Sequence, residues 1–357
     1  MGNGQWADFG LRGRGPMTAT ATRKRAQAAP EGLTRWEFDL LMDPRTIGDK
    51  RASTYKRDRM LLELLAGTGM RINEALSLNR DRVDLQDGSI WIPAANSKSG
   101  RARRIYFGQS LAEKLRAARS RRALSHVVHV NGTRGKSTVT RLIDAGLRAG
   151  GLRVLSKTTG TDPMTIGVDN VERAVRRIGP PNIREQLNIL NLAAREKADV
   201  LVVECMAVDP ALQRASQEKM LLADIGVITN VRRDHEDAMG NAPEEICDAL
   251  SNTIPRGGVL LSAERDLAAR LRDNCALRGC RFVQALPRGD EPDFEFAENL
   301  SLALAVCEEL GVARETALDG MRRFRPDPYA LSAYRWGEGI FDLPLNDREE
   351  FTPLPAR

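Results

Sequence analysis

The chain has 357 residues, 42% of them hydrophobic and 29% charged, with a formal net charge of +6. This composition is typical of a soluble folded protein and excludes a disordered or fibrous one, while the length allows two domains. The charge is uneven, because residues 1–125 hold 24 Lys and Arg against 13 Asp and Glu, whereas the remaining residues hold 30 against 35. This asymmetry predicts two regions of different character.

Residues 1–30 are predicted to be a disordered basic leader. They contain an Arg-Lys-Arg run and lack the apolar segment that a secretory signal peptide requires. No stretch reaches the ~18 apolar residues of a membrane span. The cysteines are scattered and form no C-x-x-C pair, so we expect buried thiols in a reducing cytoplasm instead of disulfides or a zinc site. They are Cys205, Cys247, Cys275, Cys280 and Cys307.

Residues 31–120 predict a small, mainly helical α+β segment. Thr34 and Glu37 have the spacing of a capping box, so a helix is expected after them. Two further helices, separated by Gly67 and Gly69, are predicted by the segment RDRMLLELLAGTGMRINEALSL. A β-hairpin is predicted by the alternating segments VDLQDGSIWIP and RRIYFG.

From residue 127 onward, short apolar runs alternate with helical patterns, which predicts an α/β fold with a parallel sheet covered on both faces. The strands are expected at residues 127–130, 154–157, 200–204, 225–230, 259–262 and 281–283. The final segment, GIFDLPLNDREEFTPLPAR, contains three prolines and predicts a frayed tail.

One loop carries the strongest chemical signal. The segment VHVNGTRGKSTVTRL joins a buried strand to a helix N-terminus, where free N–H groups and the helix dipole favour an anion. Gly132 and Gly135 let the loop curl around phosphate oxygens, Lys136 would reach the β- and γ-phosphates, and Ser137 would ligate Mg²⁺. A strand-to-helix turn without a ligand is the alternative, because Val130 stands where the usual spacing has glycine.

The segments VHVNGTRGKSTVTRLI, LSKTTGTD, VVECMAVDPALQ and IGVITNVRRDHEDAMG together resemble the Mur ligase family, and within it the poly-γ-glutamate synthase type, over about residues 126–336. The resemblance implies that ATP and Mg²⁺ drive amide formation through an acyl phosphate. It implies glutamate or poly-γ-glutamate as the substrate, and a cytoplasmic protein that associates with the membrane through membrane-bound synthase subunits. The nucleotide and metal would be held by Gly132, Thr133, Arg134, Gly135, Lys136, Ser137 and Thr138.

Three further residues complete the implied site. Glu204 ends an apolar strand, where a carboxylate can hold a metal, and the resemblance makes it a Mg²⁺ ligand; a solvated strand-end acid is the alternative. His235, beside Asp234 and Asp237, would position the metal and γ-phosphate, although neutral imidazole is a poor ligand for Mg²⁺. By the same resemblance Asn230 lies beside the nucleotide, and the predicted catalytic set is Lys136, Asn230 and His235.

Two polar features have a structural and a functional interpretation. Thr158, Thr159 and Thr161 follow the second predicted strand and would meet a phosphate or form a plain turn. Asn299 opens the segment ENLSLALAVCEEL and resembles an adenine-contacting asparagine of the family, but as a helix N-cap it would need no ligand.

The chain also departs from the Mur pattern. Residues 329–357 are expected to be a truncated tail where the family's amino-acid-binding domain begins, and Tyr329 stands where synthase-type members have glycine. No lysine follows Lys219, so the carbamylated lysine of many Mur enzymes has no candidate after His235. ATP binding is therefore expected, and turnover is expected to be impaired; an inactive ATP-binding partner is the corresponding alternative.

The segment before the predicted ATP-binding domain (126–328) resembles part of a tyrosine recombinase (phage integrase) catalytic domain over about residues 31–120. The resemblance assigns Arg71 to phosphate clamping and Lys98 to leaving-group protonation, and the basic charge would suit DNA. No histidine is followed three residues later by arginine, as that family requires, so strand cleavage is not expected. We interpret the segment as a remnant or fusion, with DNA binding as the alternative function.

Overall fold

The computed structural model describes residues 52–160, 162–177, 179–289, 297–326, 332–336, 339–343 and 352–353. The predicted leader and the capping box at Thr34 lie outside these residues. The chain divides into two compact units, Met1–Leu115 and Arg116–Arg357. Nothing in the described helices combines the length and apolar character needed to cross a membrane.

The described part of the first unit pairs helices with a small antiparallel sheet. Its elements are α1 (Ala52–Thr68), α2 (Ile72–Leu76), β1 (Val83–Asp84), β2 (Ser89–Ile92), β3 (Arg103–Tyr106) and the start of α3 (Gln109–Arg122). The predicted helix pair and hairpin are confirmed. Gly69 has a φ of +64°, which favours glycine just after α1. Ile90 and Ile92 are fully buried beneath the helices and form the centre of this core.

The second unit is built on an eight-stranded sheet in the order β11-β10-β9-β4-β8-β5-β6-β7. Its strands are β4 (His126–Asn131), β5 (Val154–Lys157), β6 (Met164–Ile166), β7 (Glu172–Ala174), β8 (Val200–Glu204), β9 (Ile225–Ile228), β10 (Val259–Ser262) and β11 (Arg281–Gln284). Every strand from β11 to β5 in that order pairs in parallel with its neighbour. The predicted α/β class and all six predicted strands are therefore confirmed.

Helices cover both faces of this sheet, as parallel strands require. They are α4 (Lys136–Ala149), α5 (Glu185–Arg195), α6 (Pro210–Ala215), α7 (Glu236–Met239), α8 (Pro243–Leu250), α9 (Ala268–Ala276), α10 (Ala297–Glu309) and α11 (Arg314–Met321). The apolar stripe of α4, which includes Leu142, Ile143 and Leu147, is fully buried against the sheet and α10. All five cysteines are free and buried, which confirms the expectation from their spacing.

Two parts of this unit differ from the sequence prediction. Strand β6 pairs antiparallel with β5, and β7 pairs antiparallel with β6, in a region for which no strand was predicted. Strands β12 (Ser332–Trp336), β13 (Gly339–Leu343) and β14 (Thr352–Pro353) form an antiparallel sheet, and β13 and β14 lie in the segment that was predicted to be a frayed tail. That part of the prediction was wrong because only two residues, Gly337 and Glu338, separate two alternating apolar segments, which is a hairpin pattern.

Candidate functional site: a phosphate loop at the carboxyl edge of the sheet

The glycine-rich loop lies between β4, at the centre of the sheet, and α4. Gly135 has a φ of +78° and is the N-cap of α4. Gly132 has a φ of +128°, and a Cβ atom there would lie 2.0 Å from the Thr229 hydroxyl oxygen. Glycine is therefore required at position 132 for both its backbone conformation and its close approach to β9. These two residues give the loop its tight curl.

The first turn of α4 supplies the anion-binding groups. The N–H groups of Lys136, Ser137 and Thr138 have no carbonyl partner inside the helix, and the helix dipole places positive charge at this end. The α4 helix has no acidic residue in its first turn to compete for these groups. The arrangement therefore favours a phosphate or another oxyanion at the N-terminus of α4.

Lys136 folds back over the loop. Its ammonium group donates to the carbonyl oxygens of Gly132, at 2.8 Å, and Thr133, at 3.2 Å. An ammonium group carries three donors, so one remains for a phosphate oxygen while both loop contacts are kept. The predicted reach of Lys136 to the β- and γ-phosphates stays a prediction.

Asn230, two residues after β9, forms hydrogen bonds with the loop. Its side-chain oxygen accepts from the Thr133 hydroxyl at 2.7 Å and from the Arg134 N–H at 3.2 Å, while its amide nitrogen donates to the Arg134 carbonyl at 3.1 Å. Its main-chain carbonyl accepts from the Thr133 N–H at 3.2 Å. The N–H groups of Thr133 and Arg134, predicted to bind phosphate, are thus used inside the protein, and Asn230 orders the loop.

Glu204 faces the loop from the end of β8, the strand beside β4. Its carboxylate accepts from the Ser137 hydroxyl at 2.9 Å and from the Thr159 N–H at 2.7 Å, and the residue is 3% exposed. Gln186 donates to the Glu204 carbonyl at 3.1 Å and so fixes the strand end. A hydroxyl and a carboxylate oxygen are the ligand types that Mg²⁺ prefers, so this pair fits a magnesium ion.

His235 lies apart from that pair in the described contacts. It has a φ of 47° at the N-cap of α7, and its side chain is 55% exposed. Its nearest charged neighbour is Asp234, 3.9 Å from the ring nitrogen Nε2, and Asp234 in turn lies 3.6 Å from the Arg134 guanidinium. His235 is therefore linked to the loop through Asp234 and Arg134, while its role as a metal residue remains a prediction.

Asn299 is close to the loop but is not a helix N-cap. It is the third residue of α10, and a Cβ atom on Gly135 would lie 2.8 Å from its side-chain oxygen. Thr158 and Thr159 follow β5, and the Thr158 hydroxyl accepts from the Met164 N–H at 3.3 Å, as in a turn. Thr161 lies outside the described residues.

Two residues at the same edge were not predicted. Glu264, two residues after β10, is 1% exposed and accepts from the Val231 N–H at 2.8 Å. Lys157, at the end of β5, is fully buried, and its ammonium group lies 3.4 Å from the Glu185 carboxylate. Burial lowers the pKa of Lys157, while the carboxylate of Glu185 opposes that shift. Both residues end apolar strand segments, which is the signal that identified Glu204.

In the first unit, contacts connect the surroundings of Arg71 and Lys98. The Arg71 guanidinium lies 3.6 Å from Glu74, and Arg103 bridges Glu74, at 2.7 Å, to the Ser97 hydroxyl, at 3.0 Å. Burial of Glu74 opposes its ionisation, but the hydrogen bonds from Arg71 and Arg103 outweigh this and lower its pKa. Lys98 is exposed next to Ser97.

The fold and the loop define the second unit as a phosphate-loop α/β domain with its candidate site at the carboxyl edge of a parallel sheet. Residues 130–285 match the Mur ligase middle domain. Residues 33–155 match the phage integrase family, a range that extends past residue 120, through α4 and to the start of β5. Both resemblances identified in the sequence are thus confirmed.

Individual relatives agree with these two matches. The capsule biosynthesis protein CapB of Bacillus anthracis is 38% identical over 220 residues, which is 59% of this chain and 47% of the relative. PGA synthase CapB of Bacillus subtilis (strain 168) is 40% identical over 228 residues, 61% of this chain and 58% of the relative. Tyrosine recombinase XerD of Vibrio vulnificus (strain YJ016) is 27% identical over 100 residues, 28% of this chain and 31% of the relative.

Among solved structures, E. coli FolC in complex with ADP, without folate substrate, matches with a TM-score of 0.47 and 19% identity over 61% of this chain and 62% of that chain. The chain spans about half the length of the two CapB relatives, 47% of one and 58% of the other.

Proposed function

We propose that the second unit is an ATP-dependent amide ligase of the Mur type, of the poly-γ-glutamate synthase kind. A glutamyl carboxylate oxygen attacks the γ-phosphorus of ATP, ADP leaves, and the resulting acyl phosphate is attacked by a glutamate amine with release of inorganic phosphate. The observation that carries this proposal is the Ser137–Glu204 contact of 2.9 Å at the start of α4, which places a metal-type ligand pair beside a phosphate loop.

Each residue has a distinct task in this proposal. The N–H groups that begin α4 and the Lys136 ammonium bind the terminal phosphates, which stabilises the negative charge of the transferring group. Ser137 and Glu204 would hold Mg²⁺, which supplies further positive charge to the phosphate oxygens. Asn230 keeps the loop in its binding conformation, and His235 with Asp234 borders it.

Glutamate or poly-γ-glutamate is the proposed substrate, and membrane-bound synthase subunits are the proposed partners. The support is that two relatives at 38% and 40% identity are called a capsule biosynthesis protein and a PGA synthase. In the proposed organisation, residues 1–30 are a basic leader, 31–120 a recombinase-like segment and 126–328 the ATP-binding domain, which residues 329–357 follow.

The experiment is the release of ADP from Mg·ATP, measured with and without glutamate. The proposal expects glutamate-dependent release that is lost in Lys136→Ala and kept in Lys219→Ala, a matched control because Lys219 is exposed and distant in sequence from the loop. Nucleotide binding without release would favour an inactive ATP-binding partner. Neither binding nor release by the folded protein would contradict the proposal.

The first unit supports a second candidate function, DNA binding. The supporting observation is the phage integrase match together with Arg71 and Lys98, which are joined through the Glu74–Arg103–Ser97 contacts. We expect a DNA duplex to bind with an affinity that falls steeply with salt, and the double variant Arg71→Ala/Lys98→Ala to weaken binding and flatten the salt dependence. Equal binding by the variant would exclude this role.

A further inference from the structure

Glu264 is a buried carboxylate that uses both of its oxygens. One oxygen accepts from the Val231 N–H at 2.8 Å and from the Arg232 guanidinium at 3.0 Å. The other accepts from the N–H groups of Arg265 and Asp266, each at 3.0 Å. With 1% of the residue exposed, the carboxylate depends on these four donors in place of water.

The contacts of Glu264 lead directly to the phosphate loop. The Arg232 N–H donates to the Thr133 hydroxyl at 3.0 Å, and that hydroxyl donates to Asn230 at 2.7 Å. The segment from Asn230 to Arg232 is therefore held by the loop on one side and by Glu264 on the other. Since β9 ends at Ile228, this segment takes part in none of the sheet pairings among the described strands.

We propose that Glu264 is a positioning residue that sets the conformation of the phosphate loop through the 230–232 segment. Hydrogen bonds to an ionised carboxylate are stronger than neutral ones, and the four donors fix its orientation from two directions. β10 thereby contributes to a site that is otherwise built from β4, β8 and β9. The consequence for nucleotide binding rests on the proposed function, whereas the ordering of the loop does not.

The first test measures the loop without nucleotide. In Glu264→Gln, an amide NH2 group replaces one carboxylate oxygen. Because this group cannot accept from the two N–H donors that face it, the hydrogen bonds of that oxygen are lost. We expect faster hydrogen exchange at the amides of Thr133, Arg134 and Arg232, by about ten-fold or more. The matched control is Glu218→Gln, another buried carboxylate, which contacts Arg278 at 3.1 Å and makes no described contact with the loop. Unchanged exchange in Glu264→Gln would overturn the proposal.

The second test measures the Kd for Mg·ATP by calorimetry. Glu264→Gln is expected to raise the Kd about ten-fold, while Glu218→Gln leaves it unchanged. Combining Glu264→Gln with Thr133→Val is expected to give less than the product of the two single effects, because both act through the same segment. Fully multiplicative effects would overturn the proposal. Should Glu264→Gln not fold, Glu264→Asp keeps the charge with a shorter reach and is expected to show the same changes at smaller amplitude.

If the wild-type protein binds no nucleotide while the exchange of the loop still responds to Glu264, the proposed function fails and the anchoring role stands. If nucleotide binds with equal affinity in wild type and Glu264→Gln, the anchoring role fails and the proposed function stands.

Discussion

His129 makes the free energy of unfolding of the second unit depend on pH. The side chain is fully buried in β4, and its Nδ1 lies 3.0 Å from the Gln217 side-chain oxygen. Gln217 in turn donates to the Ala223 carbonyl at 3.0 Å, which orients its oxygen toward the imidazole. Within the part of the chain that the structure describes, Nε2 has no hydrogen-bond partner. Protonation would therefore place a charge and an unpaired N–H in the core, and burial lowers the pKa of His129 from 6.5 to about 4.

The lowered pKa sets the sign and size of the effect. Between these two pKa values the unfolded chain binds a proton that the folded protein excludes, so stability falls as the pH decreases. The contribution of His129 is complete above pH 6.5, decreases by about 2 kcal/mol by pH 5.0, and reaches its full loss of roughly 3 kcal/mol below pH 4.

The assay is urea unfolding of wild type and His129→Gln, followed by circular dichroism between pH 7.5 and pH 5.0. Other titrating groups contribute equally to both proteins, so the difference between their unfolding free energies isolates His129. The stability of wild type relative to the variant is expected to fall by about 2 kcal/mol over this range. A difference that does not change with pH would refute the reasoning. His126→Gln is the control, because the His126 side chain is half-exposed and its Nδ1 has a hydrogen-bond partner, Asp224, at 2.7 Å.

Three further changes test the loop. Gly132→Ala is expected to abolish Mg·ATP binding in a calorimetric titration, because its Cβ would lie 2.0 Å from Thr229. Gly160→Ala is the control and should retain binding, because Gly160 also has a positive φ but a Cβ there would meet nothing within 4 Å. Asn230→Ala removes three side-chain hydrogen bonds to the loop, each worth about 1 kcal/mol. The Kd for Mg·ATP should therefore rise roughly ten- to hundred-fold. An unchanged Kd would show that these hydrogen bonds are dispensable for nucleotide binding. Glu204→Gln removes a carboxylate that is proposed to bind Mg²⁺. In a titration of Mg²⁺ at fixed ATP, the variant should need a higher Mg²⁺ concentration than wild type for half-maximal nucleotide binding. An unchanged Mg²⁺ requirement would contradict the role of Glu204 as a metal ligand.

The sequence predicted the parallel sheet because its strands are short buried apolar runs separated by amphipathic helices. Five of the six predicted strands agree with the structure to within one residue at either end, and the pairing order follows the rules of α/β proteins. The extension of the sheet by β6 and β7 was not predicted, because each strand has only three residues and no strong alternation of apolar and polar side chains.

Within the site, local motifs were predictable and long-range contacts were not. The loop, Lys136 and Ser137 form one continuous motif, and Glu204 was identifiable as an acid at the end of an apolar run. The hydrogen bond between Asn230 and Thr133 joins residues 97 positions apart in the sequence, so the loop contacts of Asn230 could not be read from spacing. Glu264 had the same strand-end signal as Glu204, but it lies beyond the family motifs and became recognisable only through its contacts.

The loop between β4 and α4 is proposed to bind the terminal phosphates of a nucleotide. Calorimetric titration of the folded wild-type protein with Mg·ATP, beside Lys136→Ala, tests it most directly. We expect saturable binding by wild type and a Kd raised by about ten- to hundred-fold in the variant, since hydrogen bonds from a charged donor contribute roughly 1.5–3 kcal/mol. No binding by the wild type, or equal affinity in both proteins, would contradict it.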